Sequence, residues 1–181
     1  MEENLYMKDC IRTYTGKYLN VFNPDPSQIC IEDIAHALAN TCRFAGHTQD
    51  YYSVAQHSVM CAHKVSDRSK IQALMHDAAE AYLTDIPSPI KKHLPDYRRL
   101  ENMLLNTIGR ALGFDDRLND EVKAIDKKRL EYEWEHHVIH SNKQQAWSPE
   151  KAERIFLDIW RELKYRSNRL PKLNEISELW K

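Results

Sequence analysis

The chain has 181 residues, 26 of them Lys or Arg and 27 Asp or Glu, for a formal net charge of -1. With 42% hydrophobic and 29% charged residues, it has the composition of one folded domain with a sizeable core rather than of a disordered segment. Near-zero charge excludes a general basic field for gripping nucleic acid, and no stretch approaches the roughly 20 apolar residues of a membrane span.

Four Gly and seven Pro in the whole chain leave few long loops, so helix should dominate. The N-terminal "MEENLYMKDC" lacks the apolar run of a signal peptide. Cys10, Cys30, Cys42 and Cys61 form no C-x-x-C pair and read as reduced thiols. These features make the cytoplasm the expected location.

In chain order, "IRTYTGKYLNVF" alternates well enough to predict a small hairpin around Gly16. "NPDPSQ" breaks the chain, and Ile31, Ile34, Ala35, Leu38 and Cys42 then mark a first helical stripe. Ser53 opens a second helix with Gln56 at the capping-box spacing, and Val54, Ser58, Cys61 and Val65 mark its inner face. A third helix is expected over 69–83, ended by Pro87 and Pro89. A fourth runs from Pro95 to a Gly113 cap. A long fifth is expected from Asp116, with Leu118, Val122 and Ile125 inward. Ser148 and Pro149 open a sixth. The prediction is an all-α bundle of one domain: hairpin and lead-in over 1–29, a core over 30–165, and a tail or short helix over 166–181.

On the third helix, at about 100° per residue, His76, Asp77 and Glu80 fall opposite the apolar stripe, together with Ala73. That is either an exposed polar face or part of a reaction centre, and helical geometry leaves both open. His57 sits on an apolar face, as a hydrogen-bonded core histidine or as a ligand. Asp126 lies close to an inner stripe, where a carboxylate is costly unless it is ion-paired, with Arg129 or Lys123, or metal-bound. Two histidines and two aspartates on three helices could close around one divalent cation. That donor set suits Mn, Fe, Co, Ni or Zn better than Mg. In "EHHVIH", His137 and His140 read as a solvated helix end, or as a second metal pair. His47 and Tyr51 lie in a loop near the proposed pocket.

"VAQHSV", "LMHDAAEAYLTDIPSPIKK" and "VKAIDKKRL" together resemble the H…HD…D pattern of HD-domain metal-dependent phosphohydrolases. The string "DIAHALANTCRFAGHTQDYYSVAQHS" is similar to small phage and prophage members of the deoxynucleotide branch, which includes 5′-deoxynucleotidases and dATP triphosphohydrolases. The resemblance implies an HD-domain helical bundle whose metal ligands are His57, His76, Asp77 and Asp126. It implies that Glu80 orients or deprotonates the attacking water and that Asp85 positions water or the leaving oxygen. It further implies phosphate contacts from Arg43, Lys91 and Lys123, and a base-and-sugar contact from Phe44, where relatives often carry tryptophan. His47 is a further candidate for substrate contact.

The expected activity is hydrolysis of a small-molecule deoxynucleotide by a divalent transition metal, with additional Mg as an option. The leading reaction is dATP to deoxyadenosine and triphosphate, because three cations suit a polyphosphate. Release of phosphate from dNMPs is the close alternative, and a non-catalytic nucleotide- or metal-sensing HD module is the second. The expected protein is a homo-oligomer without nucleic-acid or membrane partners, in the host cytoplasm if phage-encoded.

Overall fold

The computed structural model describes residues 9–143 and 145–169. The architecture is all-α with a small N-terminal hairpin, as the helical stripes and the alternation around Gly16 predict. Strands β1 (Cys10–Arg12) and β2 (Tyr18–Asn20) pair antiparallel, with Ile11 opposite Leu19. Gly16, at φ 88°, turns the chain between them. The hairpin is pinned to helix α1 (Ile31–Asn40) by Asp33, which is buried and accepts from the Thr15 amide at 2.6 Å and the Thr15 hydroxyl at 2.9 Å. The Tyr14 ring stacks on His36 beside this contact.

Helices α2 (Val54–Ala62), α3 (Lys70–Met75), α4 (Glu80–Leu83), α5 (Ser88–Lys91), α6 (Pro95–Leu112), α7 (Asp120–Glu133) and α8 (Pro149–Arg169) complete the bundle. Their apolar stripes meet in one core that includes Ile34, Leu38, Val59, Leu74, Leu104, Ile108 and Phe156, each without solvent exposure. Full burial of a side chain of that size contributes about 1.5–3 kcal/mol. Helix α2 is central, packing against α1, α3, α7 and α8. That placement leaves every α2 residue except Met60 buried, and it puts His57 deep in the molecule. Among the described residues, no helix is long and apolar enough to cross a membrane.

Three boundaries differ from the sequence expectation. The continuous helix over 69–83 breaks after Met75: Ala78 and Glu80 donate to the carbonyls three residues back, Met75 and Asp77, in tight 3-10 fashion, and α4 starts afresh at Glu80. Helix α7 begins at Asp120 rather than Asp116, because the Asn119 side chain caps it by accepting from the Val122 amide at 3.0 Å. At the other end α7 runs into a π-helical segment, Trp134–Ile139. The expected tail starts later than residue 166, since α8 continues to Arg169, and "LNEISELWK" lies outside the described residues.

Candidate metal centre

Each side chain of the centre is fixed by a local rule. Ser53 caps α2, accepting from the Gln56 amide at 3.1 Å. The Gln56 side chain does not return to complete a capping box. It donates to the Gln145 carbonyl and accepts from the Trp147 amide, tying the α7–α8 connection to α2. One turn along α2 from the cap stands His57, and one turn further Cys61. His76 is the C-cap of α3, and Asp77 follows in the 3-10 turn. In that turn, residues three apart eclipse, which brings Asp77 and Glu80 to one side. Asp126 projects from the middle of α7.

The hydrogen bonds fix both imidazole tautomers. His57 Nδ1 lies 2.9 Å from Glu133 Oε1 and 3.1 Å from Oε2, and this buried carboxylate can only accept. His76 Nδ1 lies 2.8 Å from the Ala73 carbonyl, which also can only accept. Both rings therefore donate through Nδ1 and turn Nε2 inward, where the two Nε2 atoms stand 3.1 Å apart. Asp126 Oδ1 is 3.1 Å from the first and 3.6 Å from the second. Asp77 Oδ2 is 3.6 Å and 3.3 Å from the same two atoms. Four electron-rich atoms converging at this range repel one another unless a cation, a proton or a metal ion, lies between them.

The protonation tendencies agree with that geometry. Burial opposes charging of His76, but Asp77 and Asp126 outweigh it and lift its pKa to about 9. Burial and Arg43 oppose charging of His57, yet Glu133, Cys61 and Asp126 hold it well above the usual histidine range. Burial would raise Asp126, but its bonds to His57 and His76 hold it far below the carboxylate range. His57, Cys61, His76 and Asp126 each offer a donor atom within 4.8 Å of the others, so this buried cluster can hold a metal ion. The alternative to metal binding, an ion pair of Asp126 with Arg129 or Lys123, is not formed: Arg129 bonds Tyr52 and Glu133, and Lys123 is exposed beside Asp120 at 3.7 Å.

Glu80 is buried at the rim. Its Oε1 accepts from Lys91 Nζ at 3.1 Å, and its Oε2 has no hydrogen-bond partner among the described residues. Burial first, then the charges of Asp77 and Asp85, push its pKa well above the ordinary carboxylate value. Burial also raises Asp85, which follows Thr84, a residue held at φ 68°. Lys91 is shared between Glu80 and Glu101, the latter at 2.5 Å. Arg43, also buried, donates from Nε to Glu133 Oε2 at 3.0 Å and approaches Asp77 Oδ2 at 3.5 Å. The next two residues, Phe44 and Ala45, both take left-handed φ, 56° and 52°, a strain that folds tolerate mainly at working sites.

That kink directs Phe44 into a cavity of about 700 Å³ whose lining includes Arg43, His47, Asp85, Pro87 and Trp134. The Phe44 and Trp134 rings meet edge to face with centroids 6.0 Å apart. His47 lines this cavity, but Tyr51 does not: its hydroxyl donates to the Ala39 carbonyl at 2.6 Å and fixes the end of α1. Of the expected site residues, the structure brings together His57, His76, Asp77, Asp126, Glu80, Asp85, Arg43, Phe44, His47 and Lys91. Lys123, on the exposed side of α7, stands apart, as does Tyr51. The "EHHVIH" pair also divides. His137 is buried with its ring 4.2 Å from that of Tyr52, and His140 is exposed beside Glu135.

Sequence reasoning missed Glu133, Cys61, Trp134 and Glu101 as site residues. Glu133 has no solvent exposure and gathers His57, Arg43, Arg129 and the Tyr52 hydroxyl around one carboxylate. Burial opposes its ionisation, but His57 and Arg43 prevail and hold its pKa at about 2. The signal was present in the spacing, since Val122, Asp126, Arg129 and Glu133 recur at helical intervals along α7.

No family model matches the chain. Over 116 residues, 64% of the chain, it is 44% identical to the uncharacterized protein YfdR of Escherichia coli, and the match covers 65% of that protein. Over 126 residues it is 34% identical to an uncharacterized protein of Rhodobacter capsulatus, covering 64% of each chain. The chain thus spans just under two thirds of the length of these relatives, and what it shares with them is a sequence likeness without an attached activity.

Proposed function

We propose that the chain is an HD-domain, metal-dependent phosphohydrolase of 2′-deoxynucleotides, with dATP cleaved to deoxyadenosine and triphosphate as the leading reaction. The observation that carries this reading is the convergence of four lone-pair donors, from His57, His76, Asp77 and Asp126, beside a buried Glu80 and at the edge of a nucleoside-sized cavity. Two nitrogens and two carboxylate oxygens suit Co, Mn, Zn, Fe or Ni. Such an ion supplies Lewis acidity toward a phosphoryl oxygen and lowers the pKa of bound water.

The protein groups have separable tasks. Glu133 fixes the His57 tautomer, and the Ala73 carbonyl fixes that of His76. Glu80, with a raised pKa and an Oε2 that no described residue partners, is a stronger base than an ordinary carboxylate and is suited to accept a proton from water. Arg43, held in place by Glu133, offers its remaining guanidinium donors to phosphate. Asp85 limits how a substrate oxygen can sit at the cavity edge. Phe44 and Trp134 offer apolar faces to a base and sugar.

The second reading, phosphate release from a dNMP, is favoured by one specific observation. Lys123 stands on the exposed side of α7, and Lys91 is already paired with two carboxylates, so fewer free cations face the cavity than a triphosphate invites. The test is product analysis. Protein loaded with Mn or Co is incubated with each dNTP and dNMP, and the phosphate species is identified. Triphosphate from dATP supports the leading reaction, whereas orthophosphate from dAMP with no turnover of dATP overturns it in favour of the second.

A further inference from the structure

We propose that Cys61 is itself a ligand of the metal centre, giving a mixed imidazole, carboxylate and thiolate set that favours thiophilic ions such as Zn or Co over Mn or Mg. The proposal rests on the metal-binding reading of the cluster and adds a donor that the H…HD…D pattern does not contain.

Four observations carry it. Cys61 stands one turn after His57 on α2, on the same face, and is without solvent exposure. Its Sγ is 3.6 Å from His57 Nε2, the inward nitrogen and not the one held by Glu133. It lies within the same 4.8 Å span as the donor atoms of His76 and Asp126. Typical metal–nitrogen and metal–sulfur bonds of about 2.1 and 2.3 Å close a triangle over a separation of that size at a near-tetrahedral angle. The remaining thiols are engaged elsewhere or outside the centre: Cys30 Sγ faces Glu32 at 2.9 Å, Cys42 Sγ faces Thr48 at 3.5 Å, and Cys10 lies in the hairpin.

A bystander core thiol does not need to point at an imidazole lone pair, and a valine would fill the same volume. On metal binding the Cys61 thiol loses its proton to solvent as the sulfur–metal bond forms, with no change of oxidation state. The thiolate then joins the Asp77 and Asp126 carboxylates as a third anionic donor to the divalent ion, and the soft sulfur shifts selection toward Zn and Co.

The test is spectroscopic and independent of turnover. The full chain is freed of metal, titrated with Co(II), and its absorption recorded for wild type, Cys61→Val and Cys61→Ser. The expected result is a thiolate-to-cobalt charge-transfer band in the near ultraviolet for wild type. In both variants that band is lost while the visible d–d bands remain, and preference for Zn over Mn falls by roughly tenfold or more. Stoichiometric Co(II) with d–d bands but no charge-transfer band in wild type overturns the role of Cys61 and leaves the metal centre standing. A charge-transfer band that persists in Cys61→Val also overturns it. Absence of any bound Co(II) overturns this proposal and the metal-dependent reading together.

Discussion

Glu133→Gln isolates the support of the centre from the centre itself. Glu133 accepts from His57 Nδ1 at 2.9 Å, Arg43 Nε at 3.0 Å, the Tyr52 hydroxyl at 3.0 Å and Arg129 at 3.4 Å, all without solvent access. Glutamine is isosteric, but it removes the negative charge between two guanidinium groups and replaces one acceptor oxygen with an NH2 donor facing donors. Breaking one partner of a buried ion pair costs about 3–5 kcal/mol. The displacement of Glu133 from its ordinary 4.5 to about 2 gives a consistent figure of roughly 3 kcal/mol. For a chain of this size that is a fall in Tm of roughly 6–20 °C. Loss of the carboxylate behind a ligand imidazole should also weaken metal binding by about 10–100-fold. Thermal unfolding of the metal-free protein and calorimetric titration with Zn or Co read the two effects separately. A variant with wild-type Tm and wild-type metal affinity would refute the assignment of Glu133 as the hub that holds His57 and Arg43.

The same residue sets a pH dependence. Its folded-state pKa is depressed, so its contribution is fully present above its unfolded value of 4.5 and is lost as pH falls through about 2. The stability gap between wild type and Glu133→Gln should therefore narrow as pH falls from about 5 toward 2; a gap that widens over that range contradicts the sign. Glu80→Gln should retain stoichiometric metal and lose turnover by about 10²-fold or more; full activity would remove Glu80 from water activation. Trp134→Ala should raise KM for a deoxynucleotide by roughly 5–150-fold, the equivalent of about 1–3 kcal/mol of stacking, with kcat little changed. Lys123→Ala should leave stability, metal content and kinetics within error of wild type, because its ammonium is exposed beside Asp120.

The bundle was readable because its helices announce their ends. Ser53, Pro95, Gly113 and the Ser148–Pro149 pair all stand where the structure starts or stops a helix. The break after Met75 was not readable. Residues 69–83 keep a helical apolar pattern through it, and the departure lies in backbone hydrogen bonds that shorten from four residues to three. That break also explains why helical geometry left His76, Asp77 and Glu80 balanced between surface and site. Ala73, expected opposite the apolar stripe, is fully buried, so the face that looked polar is an interior wall. His57 and Asp126 were legible as anomalies, apolar-stripe positions carrying polar groups. Cys61 was not, because cysteine is an ordinary core residue and only its distance to His57 sets it apart. His137 was misread for the opposite reason: a histidine-rich helix end normally faces water, but the π segment puts His137 under Tyr52.

Metal content and deoxynucleotide turnover should be measured together on one preparation of wild type and Asp126→Ala. Wild type should bind one or more equivalents of divalent metal per chain and release a phosphate product from a deoxynucleotide. Both properties should vanish in Asp126→Ala while the helical circular-dichroism spectrum persists. Wild type that holds its metal stoichiometrically and hydrolyses none of the dNTPs or dNMPs would contradict the account and leave a metal-binding module in its place.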